Sequence, residues 1–142
     1  MYVDKAGMID RYGERKLIQL TDRATPATGS IVDTVLDKAL ADAAAVIHGY
    51  ARSAGYAVPF APTPDMVDGW QACIALYSLY RDEAPEKTKK DYDTALGQLK
   101  DLAAGRITLQ AAGVESPAPA EGATVLFVAP IRIMTGSTLK GF

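Results

Sequence analysis

The stretch from Pro64 to Asp82 carries Met66, Val67, Trp70, Cys73, Ile74, Leu76, Tyr77, Leu79 and Tyr80. At 3.6 residues per turn these cover most of a helix's circumference. An amphipathic helix can lie on the surface of many folds, but one that is apolar on most sides has to be surrounded. The chain must therefore supply further helices to wrap this one. Its start is written locally: Thr63 is placed as the N-cap, Pro64 suits the first helical position, and Asp65 favours the positive end of the helix dipole.

The wrapping helices can be read on both sides of it. From Ile31 to Ser53, Val32, Val35, Leu36, Ala39, Leu40, Ala43, Val46, Ile47 and Tyr50 recur at the three-and-four spacing of one helix face. Asp33, Asp37, Lys38 and Asp42 lie elsewhere, the alanines of "ALADAAAV" let a neighbouring helix come close, and Gly55 is the stop. Pro85 can open a last helix through Ala104, with Tyr92, Ala95, Leu96, Leu99, Leu102 and Ala103 on one face and Gly105 beyond its end. Near the N-terminus Asp4 is placed to cap a short helix over Lys5 to Tyr12, ended by Gly13, and "ERKLIQLTD" adds another helical turn or two. "RATPATGS" (residues 23–30) and the three-proline "YAVPFAPTP" (residues 56–64) break the pattern and read as a loop and a fixed extended connector. The expectation is an all-α fold: a small four- to five-helix bundle with an extended, partly β C-terminal arm.

The arm follows from composition. After Gly105, "RITLQAAG" reads as a short extended segment, and "VESPAPAEG" has the Pro, Ala, Ser and Gly content of a linker. The division expected is a helical body over residues 1–113, a linker over 114–122 and an interaction arm over 123–142. Val125 to Met134 is rich in β-branched residues, and Pro130 confines it to an edge or a bulge if it is a strand. Leu126, Phe127, Val128, Ile131, Ile133 and Met134 carry enough apolar surface to make exposure unfavourable, so with Arg132, Leu139 and Phe142 they are the expected partner interface. The competing reading folds this run back as an edge strand on its own domain, which needs "RITL" as its pairing partner.

Chemistry, by contrast, is thinly supplied. Net charge over the 142 residues is -2, so no basic field advertises nucleic-acid binding. The single cysteine rules out an intramolecular disulfide and suits a reducing compartment. "MYVDKAGMIDRYGERK" has charged residues where a secretory signal needs an apolar stretch, and no apolar run approaches the ~20 residues that span a bilayer, so the expectation is a protein that is cytosolic when made and has no membrane contact. His48, the one histidine, lies off the main apolar face of its helix and reads as a partly exposed structural residue; Cys73, inside an apolar helix, reads as a buried small hydrophobe. Lys87, Lys89 and Lys90 read as a solvated face, and Tyr50, Tyr56, Trp70, Tyr77, Tyr80 and Tyr92 as packing residues. No EF-hand, GxSxG, Walker A, GxGxxG or His/Cys cluster is present. No catalytic residue, metal site or cofactor is expected.

Taken in order, "YVDKAGMIDRYG", "LIQLTD", "VLDKALADAAAVIHGYA", "YAVPF", "ALYSLYRD", "DYDTALGQLKDLAAGRITL" and the closing "RIM" and "LKGF" resemble a family of Mu-like phage and prophage neck proteins. The resemblance lies in the series, which covers nearly the whole chain, and not in any one motif. Where the family often places an aromatic soon after the arginine of the arm, this chain has Arg132, Ile133, Met134. The resemblance implies a structural virion protein, a head-to-tail adaptor in the neck that forms a closed ring of about 12 copies beneath the portal. Its partners would be copies of itself, the portal protein and a stopper or tail-terminator protein, with DNA passing through the ring without sequence-specific binding. The alternative is a small helical binding or regulatory module, chaperone- or antitoxin-like, that buries its apolar tail in a partner.

Overall fold

The computed structural model describes residues 1–110. The helices are α1 (Lys5–Tyr12), α2 (Glu14–Thr21), α3 (Asp33–Ser53), α4 (Asp65–Leu79) and α5 (Glu86–Ala103). No strand occurs among the described residues. The protein is an all-α helical bundle, as expected, with "ERKLIQLT" a full second helix and not a turn added to the first. The boundary at residue 113, the linker and the arm lie outside the described residues.

Three helices build the core. α3, α4 and α5 pack pairwise against one another, and the α1–α2 hairpin leans on α3. α4 has eight of its residues buried, including Val67, Trp70, Ile74, Leu76 and Leu79, and is the most enclosed helix of the five. Around it lie Leu36, Leu40 and Ile47 from α3 and Leu99 and Leu102 from α5, all essentially inaccessible to water. α3 contributes Ala39, Ala43, Ala44 and Ala51 to the same buried set, as the small-residue stripe required.

Helix ends show where local rules held and where they slipped. Asp4 caps α1, its carboxylate accepting the Gly7 N–H at 2.8 Å. α3 and α5 close with the same Schellman arrangement: Tyr56 N–H donates to Ala51 C=O at 2.9 Å and Gly55 N–H to Arg52 C=O, while Arg106 N–H donates to Asp101 C=O at 2.8 Å and Gly105 N–H to Leu102 C=O. Gly55 and Gly105 sit at φ of 85° and 72°, the left-handed region that a residue with a Cβ rarely enters. α4 departs from expectation at both ends. Pro64, not Thr63, occupies the N-cap position with no side-chain bond, and the helix stops at Leu79 because Tyr80 turns extended, three residues short of Asp82. Pro85 likewise stands just before α5 and not within it, and α3 begins at Asp33 and not at Ile31.

The two Schellman ends meet. Tyr56, the residue after the α3 stop, is buried and its hydroxyl accepts the Leu109 N–H at 3.0 Å; Leu109 is itself buried. This pair places the end of the described residues beside the start of α4, since Leu109 and Gln110 line a hollow with Thr63, Pro64 and Met66.

Candidate docking surface

Every residue singled out from the sequence as partner interface, from Leu126 to Phe142, lies outside the described residues. The body itself shows two features built by several elements at once, one closed and one open.

The closed feature is a polar staple in the core. Gln71 is fully buried on α4, and its Oε1 accepts the N–H groups of Tyr2 at 2.8 Å and Val3 at 2.7 Å while its Nε2 donates to the Leu40 carbonyl of α3 at 2.8 Å. One side chain thus ties the N-terminal segment to both central helices and satisfies three main-chain groups, two of them buried. Tyr2 extends the tie. Its hydroxyl accepts the Phe60 N–H at 3.1 Å and lies within hydrogen-bond distance of His48 Nε2, with the two rings edge to face at 5.6 Å between centroids. With the oxygen occupied by Phe60, the phenol proton is available to Nε2, an arrangement that favours neutral imidazole. Desolvation, then Arg52 and the N-terminal amine, push the His48 pKa in the same direction, downward. His48 is half-buried and structural, as expected; that it anchors the N-terminus needed the fold.

The open feature is a groove of about 340 Å³ between α4 and α5. Met66, Gly69, Trp70 and Cys73 form its α4 wall, at the spacing of one helix face, and Asp91 and Gln98 mark its α5 rim. Trp70 is buried, and its indole N–H donates to Gln98 Oε1 at 2.7 Å, which pins the ring across the groove's floor. Met66 is 42% exposed beside it. Cys73 corrects the sequence reading: it is half-buried, lines the groove, and accepts a long 3.8 Å bond from the Tyr12 hydroxyl. Burial and the Cys73 contact push the Tyr12 pKa well above the ordinary phenol value. One turn further along, Tyr77 and Tyr92 stack at 4.1 Å and close the α4–α5 junction.

Of the aromatic residues read as packing, Tyr56 and Trp70 are buried, while Tyr50, Tyr77, Tyr80 and Tyr92 are half-buried at the edge of the core. Lys87, Lys89 and Lys90 are exposed. Asp68 has one carboxylate oxygen buried without a partner among the described residues, and desolvation raises its pKa against the opposing charge of Arg11. No group of three or more His, Cys, Asp or Glu side chains among the described residues could hold a metal ion, and no described helix is long and apolar enough to cross a membrane. Two residues of the staple were missed in the sequence, Gln71 and Tyr2. A signal existed for the first: Gln71 stands at the spacing of Val67, Ile74 and Ala75, a lone amide in an otherwise apolar stripe.

The sequence is similar to that of a known phage protein. The chain is 25% identical over 142 residues to the Mu-like prophage FluMu protein gp36 of Haemophilus influenzae, an alignment that spans all of this chain and 98% of that protein. The family model for Bacteriophage Mu Gp36 matches residues 2–127, which takes in the whole helical bundle. On that match, the chain belongs to the Bacteriophage Mu Gp36 family.

Proposed function

We propose that this protein is a structural component of the phage neck, a ring-forming head-to-tail adaptor that docks on the portal and recruits the next neck or tail component. The observation that carries the reading is the extent of the match to a phage protein, since the alignment with the Mu-like prophage relative covers the helical bundle and the apolar run beyond it alike. A bundle that packs its own core has no need of that run, whereas an assembly protein uses such a run to reach a neighbour. The partners in this reading are copies of the same chain, the portal, and a stopper or tail-terminator protein, in the virion after assembly and in the host cytoplasm before it. The role calls for no catalysis and no cofactor: positioning and complementarity perform it.

Deleting residues 123–142 tests the division of labour. Helical content should be unchanged and the body should still unfold in one cooperative transition, while attachment to portal-bearing capsids, scored by negative-stain imaging, is lost. A truncated chain that still decorates the portal vertex overturns the reading. So does light scattering that shows a tight two-fold dimer at micromolar concentration in place of weak self-association completed on the portal.

A further inference from the structure

The α4–α5 groove poses a question that bundle packing does not answer. Gly69 lies within α4, where glycine is less favoured than any residue but proline. A Cβ built on it meets nothing within 4 Å, so no neighbour inside the described bundle requires its absence. The same wall carries Met66, among the few large apolar side chains of the described residues left exposed. At the rim, Asp91 is exposed and forms no ion pair among the described residues, and Gln98 uses its carbonyl oxygen on Trp70, leaving its amide N–H groups for another acceptor. An open apolar floor, a helix surface thinned by a glycine, a carboxylate and a free amide donor make a site that fits an apolar, extended segment with one cation.

Such a segment belongs to this chain. The last described residue, Gln110, shares a hollow with Met66, so the chain leaves the bundle beside the mouth of the groove. Residues 111–124 separate that exit from Val125, a reach of up to about 45 Å when extended. The fifteen residues of α4 span only about 22 Å. Leu126, Phe127 and Val128 follow, and Arg132 is one of two cations beyond the exit, the other being Lys140. A segment tethered this closely competes at an effective concentration of about a millimolar, roughly a thousandfold above a second copy at micromolar protein.

We infer that the α4–α5 groove is the resting seat of the chain's own C-terminal segment, with Phe127 against Gly69 and Trp70 and Arg132 paired with Asp91. The seat masks the apolar run before assembly. Release of the run to another subunit or to the portal rests on the function proposed above; occupancy of the seat does not.

Cys73, the single cysteine of the chain, lines the groove and reports its occupancy. In the full-length protein at micromolar concentration, alkylation of Cys73 by N-ethylmaleimide should be slow, and should accelerate by about tenfold in Phe127→Asp and by about threefold in Arg132→Glu. The wild-type rate should not change on tenfold dilution. Equal rates in wild type and Phe127→Asp overturn the inference, and protection that grows with protein concentration assigns the groove to a second copy instead. A reciprocal variant reads the other partner. Gly69→Leu fills the groove, and trypsin should then cut after Arg132 about fivefold faster than in wild type, with far-UV circular dichroism confirming an intact bundle. An unchanged cleavage rate in a folded variant also overturns the inference. Neither measurement involves the portal, so failure here and failure of capsid attachment are separate results.

Discussion

α4 meets its neighbours through two faces that are built differently. One face carries Val67, Gln71, Ile74 and Ala75, all buried, and the one polar member makes three hydrogen bonds to main-chain groups of α3 and the N-terminal segment. Towards α5 the helix presents Met66, Gly69, Trp70, Cys73 and Tyr77, of which Trp70 alone is fully enclosed. The first face is sealed and directional: a buried amide has few geometries that satisfy all its partners, so it sets the position of the N-terminus as well as holding it. The second is held by one indole and one stacked pair and leaves room beside them. Side by side in the sequence and about 100° apart around the helix, Trp70 and Gln71 thus serve different faces, and the contrast separates what stabilises the bundle from what is open to a visitor.

The largest effect should come from the open face. Trp70→Ala removes its buried anchor and should cost about 3–5 kcal/mol, enough to unfold a domain of ordinary stability; a melting temperature close to wild type would mean that the α5 contact contributes little and would break the comparison. On the closed face, Gln71→Leu keeps the volume but strands two N–H groups and a carbonyl in the core. A loss of about 2–4 kcal/mol is expected, and denaturant titration showing no loss would mean that the staple orients the N-terminus without stabilising it. Tyr2→Phe sharpens the same face. It removes the hydroxyl shared by Phe60 and His48 and should cost about 1 kcal/mol, with faster amide exchange at Phe60 as the local readout.

The smallest effect is a pH dependence. The His48 pKa is lowered in the folded protein, so as pH falls through about 6.5 the unfolded chain takes up a proton that the folded chain does not yet accept. Stability from this group is complete above that range and declines below it, by a few tenths of a kcal/mol once solvent screening at a half-exposed ring is allowed for. His48→Gln should flatten the slope between about pH 7.5 and 5.5, since the chain has no other histidine. An equal slope in that variant would assign the titration elsewhere.

Helix existence was legible because its causes are local. The three-and-four spacing of α3 and α5, Asp4 before α1, and Gly55 and Gly105 beyond two helix ends act through neighbours within a few residues. Where a helix end depended on distant partners the reading slipped: the apolar pattern ran on through Tyr80, yet α4 stops at Leu79, whose carbonyl accepts from Arg23 across the bundle at 3.2 Å. Gln71 was passed over because an amide looks solvent-seeking until its three partners, one from α3 and two from the N-terminal segment, are brought to it. Cys73 was read as buried because its own helix is apolar, but its exposure depends on how closely α5 approaches.

Composition and periodicity alone determined that this chain is an all-α bundle wrapped around one central helix, with a differently composed segment following it. Both are statements about short-range order: burial of a helix's apolar stripe and the turn chemistry at its ends are set by residues within one or two turns. The tertiary structure alone decided that the N-terminus is stapled through Gln71 and His48, that Leu109 and Gln110 lie beside Met66, and that α4 and α5 stand apart over Gly69. Those depend on groups 46 to 69 residues apart meeting at hydrogen-bond distance or failing to close, which no local pattern encodes.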